Sequence, residues 1–310
     1  MPPVTIIVPT KPGQAEIKSV EAARRLNYPH EKLDVIVARG RQPAIQRNRA
    51  LNEASGDIIY FLDDDAQPRP ENLERAIAHF RDPKVKMVGG PNLCPADAPL
   101  TEKVFATVLS SWVAFGPSRA RYAPVGRVRV SSEKELILCN LLARRDTLLE
   151  LGGFNASLYP NEENALMDNV QSRGGVLIYD PDLVAYRRPR PTLKAFIKML
   201  LNYGRGRAEQ FRLHPTPGSA LNFAPPLFCA YLVACPFLGT AGLVPLAGYA
   251  LAIVSQTLYS AVTRSPVHAF MAMPLLTITH IFYGLGFWRG LFTRLRPRTA
   301  IDSEVSLERA

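Results

Sequence analysis

The 310-residue sequence predicts an α/β protein, a doubly wound sheet with helices on both faces, followed by an apolar region suited to a membrane. Three observations carry this. Short β-branched and aromatic runs alternate with charged, helix-like stretches over residues 1–190. The chain then holds no Asp, Glu, Lys or Arg between Arg212 and Arg264, nor between Arg264 and Arg289. Lastly, three consecutive carboxylates, Asp63-Asp64-Asp65, directly follow the apolar run Ile58–Leu62.

The elements follow in order. Residues 4–9 read as a strand, 14–26 as a helix and 33–38 as a second strand. Residues 43–54 read as a helix that Gly56 terminates. Ile58–Leu62 is the third strand, and 70–80 a helix with Pro70 in its first turn. Val85–Gly89 is the fourth strand. No repeat or low-complexity segment interrupts the series. Cys94, Cys139, Cys229 and Cys235 show no metal-ligand spacing and no disulfide framework, which suits a reducing compartment. The amino terminus lacks a basic n-region and a long h-region, so no signal peptide is expected and residues 1–190 are expected to stay in the cytoplasm.

Residues 191–214 form a basic amphipathic zone. Over 187–212 eight basic residues stand against one acid, Glu209, while Leu193, Phe196, Ile197, Leu200 and Leu201 recur at helical spacing. Such a helix suits a membrane surface, with a solvated helix packed on the domain as the plain alternative. Residues 215–290 hold about three apolar segments, near 222–240, 242–262 and 267–288, each of roughly spanning length. Residues 291–310 are a basic, then acidic tail. Three spans put the 187–212 and 289–298 basic clusters on opposite sides, whereas the positive-inside rule wants both in the cytoplasm. One segment is therefore expected to be re-entrant or interfacial, and Pro225-Pro226 mark the first as the suspect. An inner-membrane, multi-pass protein with a cytoplasmic catalytic domain is the expectation.

Carboxylates crowded at the carboxyl end of a parallel strand repel one another unless a cation sits between them, and open α/β sheets bind ligands there. Hard oxygen ligands fit Mg2+ or Mn2+ with a substrate phosphate completing the shell. A solvated acidic turn before Pro68 is the rival reading. A second acidic pair, Glu162-Glu163, follows Gly152-Gly153-Phe154 and opens a helical stretch, where acids are favoured by the helix dipole whatever the function.

Taken as an ordered series, these pieces resemble the family-2, GT-A-type inverting glycosyltransferases over roughly residues 4–210. The series comprises the first strand ending in Pro9-Thr10, Arg47-Asn48, Ala54-x-Gly56-Asp57 and Phe61-Leu62-Asp63-Asp64-Asp65. It continues with Asn140, Arg144-Arg145 and Gly152-Gly153-Phe154 leading to Glu162-Glu163. Within that family the chain is most similar to membrane-attached enzymes of succinoglycan-type exopolysaccharide assembly, through Arg187-Arg188 and the block Tyr203-Gly204-Arg205-Gly206-Arg207.

The resemblance implies a GT-A-like mixed sheet and a single sugar transfer from a nucleotide-diphosphate sugar to a polyprenyl-linked or other membrane saccharide. It implies that Asp65 and Asp63 hold the metal, and that Asp63, Asp64, Pro9 and Arg47 face the donor. Glu163 is implied as the base, with Glu162 beside it raising its pKa. Arg205 and Arg207 are candidates for a leaving diphosphate or a carrier phosphate, with anionic headgroups as the alternative. Membrane lipids are expected partners; nucleic acid is not. Two departures stand out. Arg39-Gly40-Arg41 occupies the place of an acidic pair that the family uses for base and ribose, and Glu163 stands for the usual Asp. The chain lacks the Gln-x-x-Arg-Trp motif of processive synthases. Alternatives are transfer to a bare polyprenyl phosphate, a metal-dependent nucleotidyltransferase, or a catalytically idle membrane scaffold.

Overall fold

The structure, a computed structural model, describes residues 1–158, 161–213, 215, 217–295 and 304–310. Tyr159 and Pro160, the end of the amphipathic zone at His214, and residues 296–303 of the tail lie outside the described residues. Eleven strands are present in the described residues: β1 Val4–Thr10, β2 Leu33–Arg39, β3 Ile58–Leu62, β4 Gln67–Pro68, β5 Val85–Gly89, β6 Asn92–Leu93, β7 Arg129–Val130, β8 Asn140–Arg144, β9 Val176–Tyr179, β10 Ala185–Tyr186 and β11 Ser306–Arg309. Eight form one mixed sheet in the order β11-β2-β1-β3-β8-β5-β9-β7, and β4-β10-β6 form a small second sheet. The expected helices are present but shorter, at Lys18–Ala23, Pro43–Glu53 and Asn72–His79.

The chain divides into two compact units. The first comprises Met1–Pro95, Ala120–Arg187 and the carboxyl-terminal segment. Its central strands are buried on both faces, and alternate residues serve different cores. Ile59 and Phe61 of β3 pack with Ile7 and Ile36 on one face. Ile58, Tyr60 and Leu62 pack with Ile6, Val8 and Val37 on the other. This two-residue alternation makes the register hard to slip, since a one-residue shift moves every side chain to the wrong layer. It places the chain after Leu62 at the carboxyl end of the parallel trio β2-β1-β3, beside Thr10 and Arg39.

The stretch after β9 is held from three sides. Asn72 donates to the Val184 carbonyl at 2.8 Å and Asn140 to the Leu183 carbonyl at 2.7 Å, and Asn140 also accepts from the buried Tyr60 hydroxyl at 2.7 Å. The third anchor is Asp180, whose side chain is fully buried and accepts from Arg75 at 2.7 Å and meets His79 Nε2 at 2.8 Å. Gly90 lets this stretch approach, because a Cβ there would collide with the Leu183 and Asp180 carbonyls.

One part of the tail departs from the sequence reading. Ser306–Arg309 is a strand, β11, antiparallel to β2. Arg39, noted above in the place of an acidic pair, pairs with Glu308 at 2.9 Å and donates to the Gln14 carbonyl at 2.7 Å.

The second unit comprises Ala96–Arg119 and Arg188–Leu295. It takes in an excursion from the first half of the chain, where the sequence reading draws one boundary near 190. The amphipathic helix is Leu193–Leu213. Its glycines pack tightly rather than marking a loop: a Cβ on Gly204 would strike the backbone of Tyr283 and Phe287, and one on Gly286 the backbone of Leu201. Small residues at such a crossing let helices meet without aqueous hydrophobic driving force. The stretches Ser219–Phe237, Gly239–Thr263 and Pro266–Phe292 are each long and apolar enough to cross a membrane. The excursion is fastened to this bundle through a ring stack and polar contacts. Phe105 stacks on Phe196 at 4.5 Å, the backbone amides of Trp112 and Val113 donate to Gln256, and His280 Nε2 meets the Val113 carbonyl at 2.9 Å.

Asp180 gives the first test. Burial pushes its pKa up, but the hydrogen bonds from His79 and Arg75 outweigh burial and hold it down at about 2. A lowered folded pKa means the stabilisation is present above the ordinary carboxylate value, 3.8, and is lost as pH falls through about 2. Asp180→Asn is expected to cost about 2 kcal/mol in chemical unfolding at neutral pH. Its acid-unfolding limb should be shallower than that of the parent protein. A variant as stable as the parent would show that the anchor is dispensable.

Candidate active site

The two acidic clusters, about a hundred residues apart in sequence, meet in one place within the first unit. The side chain that joins them is Arg47, on the helix Pro43–Glu53. Its Nη2 donates to Asp63 Oδ1 at 3.1 Å, and its Nη1 donates to Glu162 Oε1 at 3.3 Å. Arg47 is 7% exposed and Glu162 3%, so this is a buried bridge and not a surface ion pair.

Local structure explains how each partner arrives. Asp63, Asp64 and Asp65 leave β3 at its carboxyl end. Glu162 and Glu163 form the first turn of the helix Glu162–Ser172, where the dipole favours negative charge. The loop leading to that helix is clamped by Asn48, which both donates to the Phe154 carbonyl and accepts from the Phe154 amide at 2.8 Å. Gly153 makes the clamp possible. Its φ is +72°, and a Cβ would collide with the Asn48 amide. Phe154 then packs edge-on against Phe61 at 5.2 Å, tying the loop to β3.

A second guanidinium sits across the aspartates. Arg187 donates from Nη1 to Asp63 Oδ2 at 2.8 Å and from Nε to Asp65 Oδ1 at 2.6 Å. The sequence reading used Arg187 only as a family marker. Its basic neighbours hid it, because nothing local separates it from Arg188, which pairs with Asp97 at 2.8 Å. Asp64 turns aside and accepts from Thr10 Oγ1 at 3.1 Å. Pro9 and Thr10 end the adjacent β1. Gln46 closes that corner by donating to the Thr10 carbonyl at 2.7 Å and the Ala38 carbonyl at 2.5 Å.

The electrostatics match the crowding. Burial, then the charges of Asp65 and Asp63, push the Asp64 pKa up despite the Thr10 hydrogen bond. Burial, then the charge of Glu163, push Glu162 up to about 7, against the pull of Arg47. The sequence reading put such a shift on Glu163. Glu162 carries one, because its side chain is withdrawn from water. Glu162 Oε2 and Arg47 Nε are buried without a hydrogen-bond partner among the described residues.

The donor set suits a divalent cation. It is all oxygen and acidic. Among the described residues no three His, Cys, Asp or Glu side chains enclose a metal unaided. That fits an ion that draws part of its shell from substrate phosphate. Asp63 and Asp65 are the residues that would hold it. Arg205 and Arg207 belong to the second unit, where Arg205 pairs with Glu209 at 3.5 Å and Arg207 is buried near Gln210.

Comparison with known proteins finds several similarities. Residues 17–101 match the family model described as glycosyl transferase family 2. The match includes Arg47 and the three aspartates and ends before Glu162. The chain is 27% identical over 232 residues to a pre-mycofactocin glycosyltransferase of Mycobacterium tuberculosis, covering 74% of this chain and 45% of that protein. It is 22% identical over 194 residues to glycosyltransferase AglE of Haloferax volcanii, covering 62% of this chain and 60% of that one. The chain thus spans about half the length of the curated relatives it matches. Among solved structures it resembles the mannosyltransferase PcManGT of Pyrobaculum calidifontis, solved with GDP-Man and Mn2+. The TM-score is 0.57 at 20% identity, over 94% of this chain and 87% of that one. The fold is therefore GT-A-like.

Arg47 lowers the Glu162 pKa, so Arg47→Met is expected to raise it further, with Glu162 staying protonated to higher pH. The carboxyl infrared band, followed against pH, reads this directly. A band that titrates lower in Arg47→Met, or at the same pH, would contradict the bridge.

Proposed function

We propose that the chain is an inverting glycosyltransferase. It moves one sugar from a nucleotide-diphosphate donor to a lipid-linked saccharide in polysaccharide synthesis. The observation that carries this reading is the shared bridge: Asp63 and Glu162, from distant segments, are held by one guanidinium. A cation-and-phosphate site and a candidate base therefore lie within one side chain's reach. The match to glycosyl transferase family 2 and the glycosyltransferase names of the relatives support the reaction class.

Asp63 and Asp65 would hold a divalent ion, which when bound would supply Lewis-acid charge to the leaving diphosphate. Asp64, kept near Thr10, faces the donor beside Pro9. Glu163, half-buried at the helix start, takes the proton from the acceptor hydroxyl as that oxygen attacks the anomeric carbon. Glu162 does not share this task, because Arg47 and burial keep it fixed. It sets the position of Arg47 and sits one residue from the base. Attack and departure occur on opposite faces of the sugar, so the anomeric configuration inverts.

The apolar helices bring this chemistry to a lipid acceptor. Because β11 is hydrogen-bonded to β2, the chain that leaves the first unit after Arg187 rejoins the same sheet. The chain between them therefore crosses a bilayer an even number of times, and the three candidate helices cannot all cross. Of these, Pro266–Phe292 is the most covered by protein, with 39% of its most apolar window buried against 6% and 17% for the others. It is assigned as the segment that does not complete a crossing, and Ser219–Phe237 with Gly239–Thr263 as a hairpin that enters the membrane.

Two experiments test the reading. Glu163→Gln is expected to lose about a thousandfold in transfer rate while keeping donor affinity, and Asp65→Ala to lose manganese-dependent binding of nucleoside diphosphates. Both are read by product release and calorimetry across a panel of nucleotide sugars. Normal turnover of Glu163→Gln would remove it as the base. For topology, cysteines introduced at Ser265 and Val305 should be labelled from the same face of inverted membrane vesicles. Labelling from opposite faces would reject the hairpin.

A further inference from the structure

Arg47 and Arg187 both touch Asp63, but they are not equivalent. Arg47 is 7% exposed and is fixed at both ends, by Asp63 and by Glu162. Arg187 is 23% exposed, and both its ion pairs are to the aspartates expected to hold metal. Its Nη1 and Nε take Asp63 Oδ2 and Asp65 Oδ1, one oxygen from each carboxylate. A divalent ion on the same carboxylates needs its oxygens at about 2.1 Å, closer than the 2.6 and 2.8 Å that Arg187 holds. Two cations cannot share those oxygens at full strength.

We propose that Arg187 is an exchangeable counter-cation. It neutralises Asp63 and Asp65 while the site holds no metal, and it moves onto the donor's diphosphate oxygens when the metal takes its place. This rests on the reading of Asp63 and Asp65 as metal-holding residues. The backbone around Arg187 is built to stay still while the side chain swings. The Arg187 amide donates to the Leu93 carbonyl at 2.9 Å, and the stretch before it is pinned by Asn72 and Asn140. A guanidinium released from one carboxylate pair has the fork geometry for two phosphate oxygens. Metal and diphosphate then help each other bind, because the diphosphate gives Arg187 somewhere to go. By linkage the help is reciprocal.

The test is Mn2+ binding to the full chain in detergent, followed by the electron-spin resonance of free Mn2+, with and without GDP or UDP. The parent should bind Mn2+ weakly and tighten when the matching nucleoside diphosphate is added. Arg187→Gln should bind Mn2+ alone at least about tenfold more tightly, roughly the worth of one removed competing charge at close range. It should gain little from the nucleotide. Arg187→Lys, which keeps the charge without the fork, should bind Mn2+ alone like the parent and confirm that the fold survives substitution here. If the parent binds Mn2+ with nucleotide but Arg187→Gln shows the same Mn2+ affinity as the parent, the exchange is wrong and the proposed function stands. If no protein binds Mn2+ or nucleotide, both fall.

Discussion

The constraint on which the site depends is the buried bridge through Arg47. Two carboxylates brought together in a cleft of low polarity repel each other, and nothing in either acidic segment compensates for that by itself. A guanidinium on a third element, bonded to one acid from each segment, converts the repulsion into a fixed distance. A planar fork suits this task better than an ammonium, because each arm holds one partner in a set direction. The same arrangement explains why Glu162 is withdrawn from water while its neighbour is left half-exposed.

Around the bridge, further side-chain hydrogen bonds hold the loops that carry its partners. Asn48 clamps the turn before Glu162 through both atoms of its amide. Asn140 and Asn72 hold the stretch that ends in Arg187. Buried amides make poor packing groups unless every polar atom has a partner. Once satisfied, they fix a backbone more sharply than an apolar contact does. The residues that look like a motif in sequence thus divide into those that face the cleft and those that keep the cleft in shape. Arg144, with its bonds to the Val85 and Phe80 carbonyls, belongs to the second kind.

What the sequence discloses follows from how local each cause is. β3 and its aspartates were legible because a fully apolar run and the charges ending it lie within eight residues. The mixed sheet was legible from alternation. The meeting of Asp63 with Glu162 was not legible from either segment, since it depends on a register set by strands between them. Arg187 was hidden among other arginines. Ser306–Arg309 carries no apolar run and becomes a strand only because the edge of β2 is open to it. Gly204 read as part of a motif block, and its use in helix contact appears only when both helices are in view.

The closure by β11 also bears on how the apolar helices behave. A chain fixed at one end only lets a membrane anchor drift from the domain it serves. Here both ends of the intervening chain return to the first unit, one at Arg187 and one at Ser306. From Phe292 to Ser306 is fourteen residues, which spans at most about 50 Å even when fully extended. The helices are therefore leashed at both ends to the sheet whose strand ends carry the acids.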